Sequence, residues 1–117
     1  SEFKKIQNNF IDVRVERNFF TYKESNILKI LFEEASNEIN VFRHSNSDRL
    51  TIKLKNIKYF LSKKKFNNRF NKTILSLNSV IIFLQKYKKK RIIDLKKIKE
   101  IKNWWGYATQ YVVMKKI

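Results

Sequence analysis

The residues best equipped for chemistry in this chain are cations, and the chemistry they offer is charge neutralisation. Residues 49–93 hold fourteen lysines and arginines and not one aspartate or glutamate, so they carry fourteen of the chain's formal +17 charges. A surplus gathered this tightly needs a polyanion beside it, and nucleic acid is the commonest one. The competing reading is a solvated basic face inflated by Lys/Asn/Ile-heavy codon usage. Codon usage alone should not strip the acids from one segment.

The cations fall into three groups. Arg14, Arg43, Arg49 and Lys53, with Thr51, are expected on the polar face of a small sheet, and Lys55 and Lys58 follow them. Lys63, Lys64, Lys65, Arg69 and Lys72 share a loop with Asn67, Asn68 and Asn71. Lys86, Lys88, Lys89, Lys90 and Arg91 form a basic turn at the end of a helix, where cations suit the carbonyl end of the dipole. Arginine can pair bidentately with phosphate or guanine. Phosphate contacts fix position without reading bases. Asp12 and Glu16 dilute the charge of the sheet face, which favours reading shape and phosphate over base sequence. Solvated helix ends are the plainer alternative for the second and third groups.

Other chemistries find little support. The chain has no cysteine, which excludes disulfides and thiolate metal sites. His44 is the single histidine, too few for a zinc or histidine-based catalytic centre, and reads as a turn residue with a phosphate contact. Hydrolysing a phosphodiester with Mg²⁺ needs carboxylates to hold the ion. The acids here (among them Glu24, Glu33, Glu34, Glu38, Asp48, Asp94 and Glu100) mostly fall on helix surfaces, caps or turns. No enzyme, cofactor, metal or small-molecule substrate is therefore expected. Trp104, Trp105 and Tyr107 are candidates for stacking on unpaired bases or for docking, with core packing as the competing reading. Phe10, Phe32, Phe60 and Phe83 read as core.

These side chains need a scaffold, and 117 residues with 43% apolar content can bury one core. Residues 10–17 (FIDVRVER) alternate as a half-buried strand. Thr21 and Glu24 match a capping box, and Ile27, Leu28, Leu31, Phe32 and Ala35 form the stripe of a helix ending near Ser36. Residues 38–43 and 50–54 read as two strands joined by a polar turn at 44–48. A short helix follows over 56–62. Residues 73–87 carry Ile74, Leu77, Val80, Ile81 and Leu84 at helical spacing, and a last helix begins after Asp94, with Gly106 as its left-handed stop. Residues 107–114 are rich in β-formers. The expectation is an α+β domain over 1–105, a small antiparallel sheet packed against about four helices, with 106–117 as a tail or extra strand. The longest apolar run, near 80–84, is too short for membrane insertion.

This order of elements resembles a LAGLIDADG homing-endonuclease half-domain after its first motif helix. Thr21 to Glu34 (TYKESNILKILFEE) is similar to the family's helix after the long hairpin. Leu54 to Lys65 (LKNIKYFLSKKK) resembles its short helix and basic loop, and Leu75 to Lys102 resembles its terminal helix pair. The name-giving motif helix, with its metal-binding carboxylate, has no counterpart. The resemblance implies a sheet saddle against nucleic acid with the catalytic acid missing. A half-domain without its dimerisation helix cannot form the symmetric saddle that duplex DNA needs in that family. Small, basic, cysteine-free chains of AT-rich coding bias suit organellar ribosomes. The expected function is non-catalytic binding of structured RNA, rRNA of a mitochondrial ribosome above all, beside neighbouring ribosomal proteins in the mitochondrial matrix. A DNA-binding fragment or subunit of a homing endonuclease is the second reading. A membrane-surface or acidic-protein binder is the third.

Overall fold

A computed structural model describes residues 20–90 and 95–113, with backbone alone for 87, 90 and 106–113. Thr21 opens the first helix, α1 (Tyr22–Asn40), through the capping box read from the sequence. The Glu24 N–H donates to Thr21 Oγ1 at 3.1 Å, and the Thr21 N–H donates to Glu24 Oε1 at 2.9 Å. These bonds satisfy two groups that a bare helix end leaves orphaned. Leu28, Phe32, Ala35 and Ile39 recur at three- and four-residue steps and are buried, while Ile27 lies at the edge of the stripe.

From here the molecule departs from the α+β expectation: no strand occurs among the described residues, and the fold is a bundle of four helices. α1 runs a turn beyond Ser36 and absorbs residues 38–40. The segment expected as a second strand lies inside α2 (Ser47–Leu61). Alternating Leu50, Ile52 and Leu54 fit a strand only when viewed alone. Leu50, Leu54, Ile57 and Leu61 keep a helical phase over twelve residues, and all four are buried, whereas Ile52 is 54% exposed. The longer period wins because it buries more. Residues 44–48 form a 3₁₀ turn, His44–Asn46, leading straight into α2. Buried Asn46 holds this corner: its Oδ1 accepts from the Arg43 N–H at 2.8 Å, and its Nδ2 donates to Glu38 O and Oε2, both at 3.0 Å.

A second 3₁₀ turn, Lys64–Phe66, connects α2 to α3 (Asn71–Lys90), which spans the helix expected at 73–87 and extends it at both ends. Leu77, Val80, Ile81, Phe83 and Leu84 of α3 are buried. The last helix, α4 (Leu95–Val113), passes through Gly106 and through the boundary expected at 105. The extra strand expected over 106–117 is therefore corrected to helix as far as Val113. The expected strand at 10–17 and the cap at Asp94 lie outside the described residues.

Ion pairs show how the helices run. Arg49 meets Glu38 at 3.4 Å, Lys53 meets Glu34 at 3.2 Å, and Lys65 meets Glu24, so α1 and α2 are antiparallel. Lys88 pairs with Asp48, which sets α3 antiparallel to α2. α2 is thus the central helix, flanked by α1 and α3. α4 lies on α1, where Trp105 stacks on Phe32 with centroids 5.2 Å apart and donates from Nε1 to Ser36 Oγ at 2.7 Å. A twenty-residue helix is about 30 Å long, and the bundle measures 41 × 24 × 24 Å. Its two ends are therefore well separated.

Candidate nucleic-acid interface

The sheet face that was to carry Arg43, Arg49, Lys53 and Thr51 does not exist among the described residues, and helical phase redistributes its members. Thr51 is buried and bonds back to Ser47 O at 2.9 Å. Lys53 and Arg49 turn towards α1 and are occupied by Glu34 and Glu38. Lys55 and Lys58 remain half-exposed on the outer side of α2. Arg43 is exposed at the α1–α2 corner, beside exposed His44. Arg14 lies outside the described residues.

The second group is brought together. Lys63, Lys64, Lys65 and Arg69 are exposed on the α2–α3 connection, and Lys72 is exposed in the first turn of α3. This connection is not a loose loop. Phe66 and Phe70 point inward, with only 2% and 4% of their surface exposed, and meet Phe60 and Phe20 in a four-ring cluster. Phe20 stacks on Phe70 at 5.4 Å and meets Phe66 edge-on at 5.2 Å, while Phe66 lies 5.8 Å from Phe60 and 5.7 Å from Phe70. Aromatic contacts of this kind add to the free energy of burial. Between the two anchoring rings the backbone turns through Asn67 (φ 47°) and Asn68 (φ 61°). Left-handed backbone disfavours residues with a Cβ, and asparagine is among those that tolerate it best. In a chain whose one glycine is Gly106, these asparagines do the work of a glycine turn.

Electrostatics separates this end from the rest. Lys65 meets Glu24, whose carboxyl is lowered from 4.5 to about 2, first by the hydrogen bond from Lys65 and then by the Thr21 N–H. The first turn of α3 contains no acid and does contain Lys72. A helix N-terminus prefers anions, so cations placed there add to a positive field instead of cancelling it. Lys63 Nζ sits 4.7 Å from the Phe60 ring centroid and Lys65 Nζ 5.8 Å from that of Phe66, so aromatic faces help hold the ammonium groups in place.

The third group occupies the opposite end. Lys86 and Lys89 are exposed near the end of α3, while Lys88 is paired with Asp48. The side chain of Lys90 and all of Arg91 lie outside what is described. Trp104 and Trp105 are 0% and 4% exposed and belong to the core. That burial removes them from any stacking surface, and the side chain of Tyr107 is outside the described set.

Sequence reasoning passed over Tyr59, which is 60% exposed on the outer side of α2. Its signal was phase: on a helix that begins at Ser47, Tyr59 falls opposite Leu54, Ile57 and Leu61 and must face water. Among the described residues no group of three or more His, Cys, Asp or Glu could hold a metal ion. No helix there is long and apolar enough to cross a membrane. Comparison with family models, with curated proteins and with solved structures gives no match.

Proposed function

We propose that this chain is a non-catalytic, structural RNA-binding protein that neutralises phosphates packed against it, with the rRNA of a mitochondrial ribosome as the setting its composition favours. The observation that carries the reading is the acid-free stretch of residues 49–93, whose described part, 49–90, folds as one unit: two antiparallel helices and a connection fastened by the Phe20, Phe60, Phe66 and Phe70 rings. The backbone that carries its described cations is already folded into helix and fastened turn. A folded backbone reduces the entropy lost on binding. The acids seen near it pair with Arg49, Lys53, Lys65 and Lys88, four of its fourteen cations. RNA of the kind packed in large particles is recognised through shape and backbone, which this surface matches better than base-specific readout.

Gel shifts over a salt series against structured RNA, duplex DNA and anionic vesicles test the reading. Structured RNA is expected to bind tightest, with affinity falling roughly 10³–10⁵-fold between 50 and 200 mM salt if six to ten phosphates are contacted. A flat salt response, or preference for vesicles, would contradict it. Tighter binding to duplex DNA, or Mg²⁺-dependent nicking by the purified chain, would favour the nuclease-subunit reading. Recovery of the chain from its native source is expected to bring ribosomal RNA with it.

A further inference from the structure

The acid-free stretch contains five aromatic residues whose side chains are described, and four of them (Phe60, Phe66, Phe70 and Phe83) are buried. Tyr59 is the exception, with 60% of its surface open to solvent. Single exposed apolar residues are ordinary on a protein surface. The surroundings of this one are not. Lys55 lies one helical turn before Tyr59 on the same face of α2, and Lys58 Nζ sits 5.7 Å from its ring centroid. Lys63 follows just past the helix end, turned back over Phe60. Neither Lys55, Lys58 nor Lys63 has an acid within ion-pair reach among the described residues. One more turn back along the face, Ile52 offers a second exposed apolar surface.

An exposed ring on a helix, with the Lys58 ammonium beside it, Lys55 one turn before it and Lys63 just past the helix end, has the two parts that single-stranded nucleic acid requires. The ring face takes a base, and the surrounding cations take the phosphates on either side of it. Duplex RNA cannot use the ring, since the faces of its bases are already covered by their stacked neighbours. We infer that the outer face of α2 binds an unpaired nucleotide, with Tyr59 stacking on the base and Lys55, Lys58 and Lys63 holding the adjoining phosphates. The inference rests on the RNA-binding reading and adds to it a class of nucleic acid and a stacking residue. It divides the labour of the basic unit: the α2–α3 connection meets backbone, and the neighbouring face of α2 captures a base that has left its stack.

The test measures the affinity of the full chain for an unstructured RNA 12-mer and for the same sequence as a blunt duplex, each over a salt series. The proteins compared are the parent, Tyr59→Ala and Tyr59→Phe. Circular dichroism and thermal melting accompany each variant, and an exposed site on a helix surface should leave both unchanged. Tyr59→Ala is expected to lose roughly 5- to 150-fold in affinity for the single strand, corresponding to one lost stack. Its salt slope should stay that of the parent, because no phosphate contact is removed. Tyr59→Phe should bind within about twofold of the parent, since the ring face and not the hydroxyl does the binding. The duplex should distinguish none of the three. Equal losses on single strand and duplex, or no loss for Tyr59→Ala, would overturn the inference while leaving RNA binding intact. Failure of the parent chain to bind either RNA at low salt would overturn both readings.

Discussion

The two ends of the bundle carry similar numbers of cations and use them differently. At the end formed by the α1–α2 corner and the close of α3, Lys88 and Arg49 are matched by Asp48 and Glu38, and the cations of α3 sit at its carbonyl end. That placement is stabilising in itself, because positive charge complements the C-terminal end of the dipole. At the α2–α3 connection the balance is reversed. Lys72 stands at the amino end of α3, where its charge opposes the dipole, and Lys65 pairs with Glu24. Charge count alone would have rated the two ends alike. What separates them is where the charge sits on the dipole of α3 and how the backbone beneath it is fastened.

The largest effect should come from loosening the clamp. Phe66→Ala removes a buried ring that touches Phe20, Phe60 and Phe70, and should cost about 3–5 kcal/mol in denaturant unfolding. RNA affinity should fall with it under conditions where the variant is still folded. At the far end Lys89 is exposed near the close of α3, and truncating it should leave stability within about 0.5 kcal/mol of the parent. Next in size is the turn. Asn67→Val places a β-branched residue in left-handed backbone and should destabilise by about 1–2 kcal/mol, whereas Asn67→Gly should be neutral or better. A loss in both variants would mean that the asparagine side chain, not the backbone, is what matters. Thr21→Ala removes one half of the capping box and should cost about 1 kcal/mol in thermal melts.

A pH titration separates Glu24 from the other acids. Its carboxyl is held at about 2 by Lys65 and the Thr21 N–H, below the ordinary 4.5, so the folded state favours the ionised form. The stabilisation is complete above about pH 4.5 and is lost as pH falls through 2. Glu24→Gln should therefore flatten the acid limb of stability against pH in that window. An unchanged limb would show that the pair with Lys65 does not persist in solution. The smallest effect belongs to the half-exposed pair Lys53–Glu34, where Lys53→Met should change stability by about 1 kcal/mol or less.

Charge and capping were readable from residues alone; the architecture was not. Thr21 and Glu24 announce a helix start through a local rule that needs nothing from the rest of the chain. The stripe from Ile74 to Leu84 is long enough for only one period to fit. Leu50 to Leu54 is too short to decide, since five residues satisfy periods of two and of three to four. The helix becomes legible only when Ile57 and Leu61 are counted with them. The β-rich composition of 107–114 yields in the same way to a helix already under way from Leu95, and Gly106 does not stop it. For the interface, the cluster from Lys63 to Lys72 was visible as composition. Its rigidity was not, because the cluster of Phe20, Phe60, Phe66 and Phe70 forms across fifty residues of sequence. Trp104 and Trp105 looked available for stacking because sequence gives no measure of what covers them.

The most direct test compares salt dependence after neutralising each end. Lys63, Lys64 and Arg69 are replaced together by alanine in one variant, and Lys86, Lys88 and Lys89 in another. Each is titrated against the same structured RNA between 50 and 200 mM salt. The first variant should lose about two to three from the slope of log affinity on log salt, and the second should lose less, because Lys88 is held by Asp48. Equal slopes for both variants and the parent would mean that neither end meets phosphate, and the account of this chain as a phosphate-neutralising protein would fall.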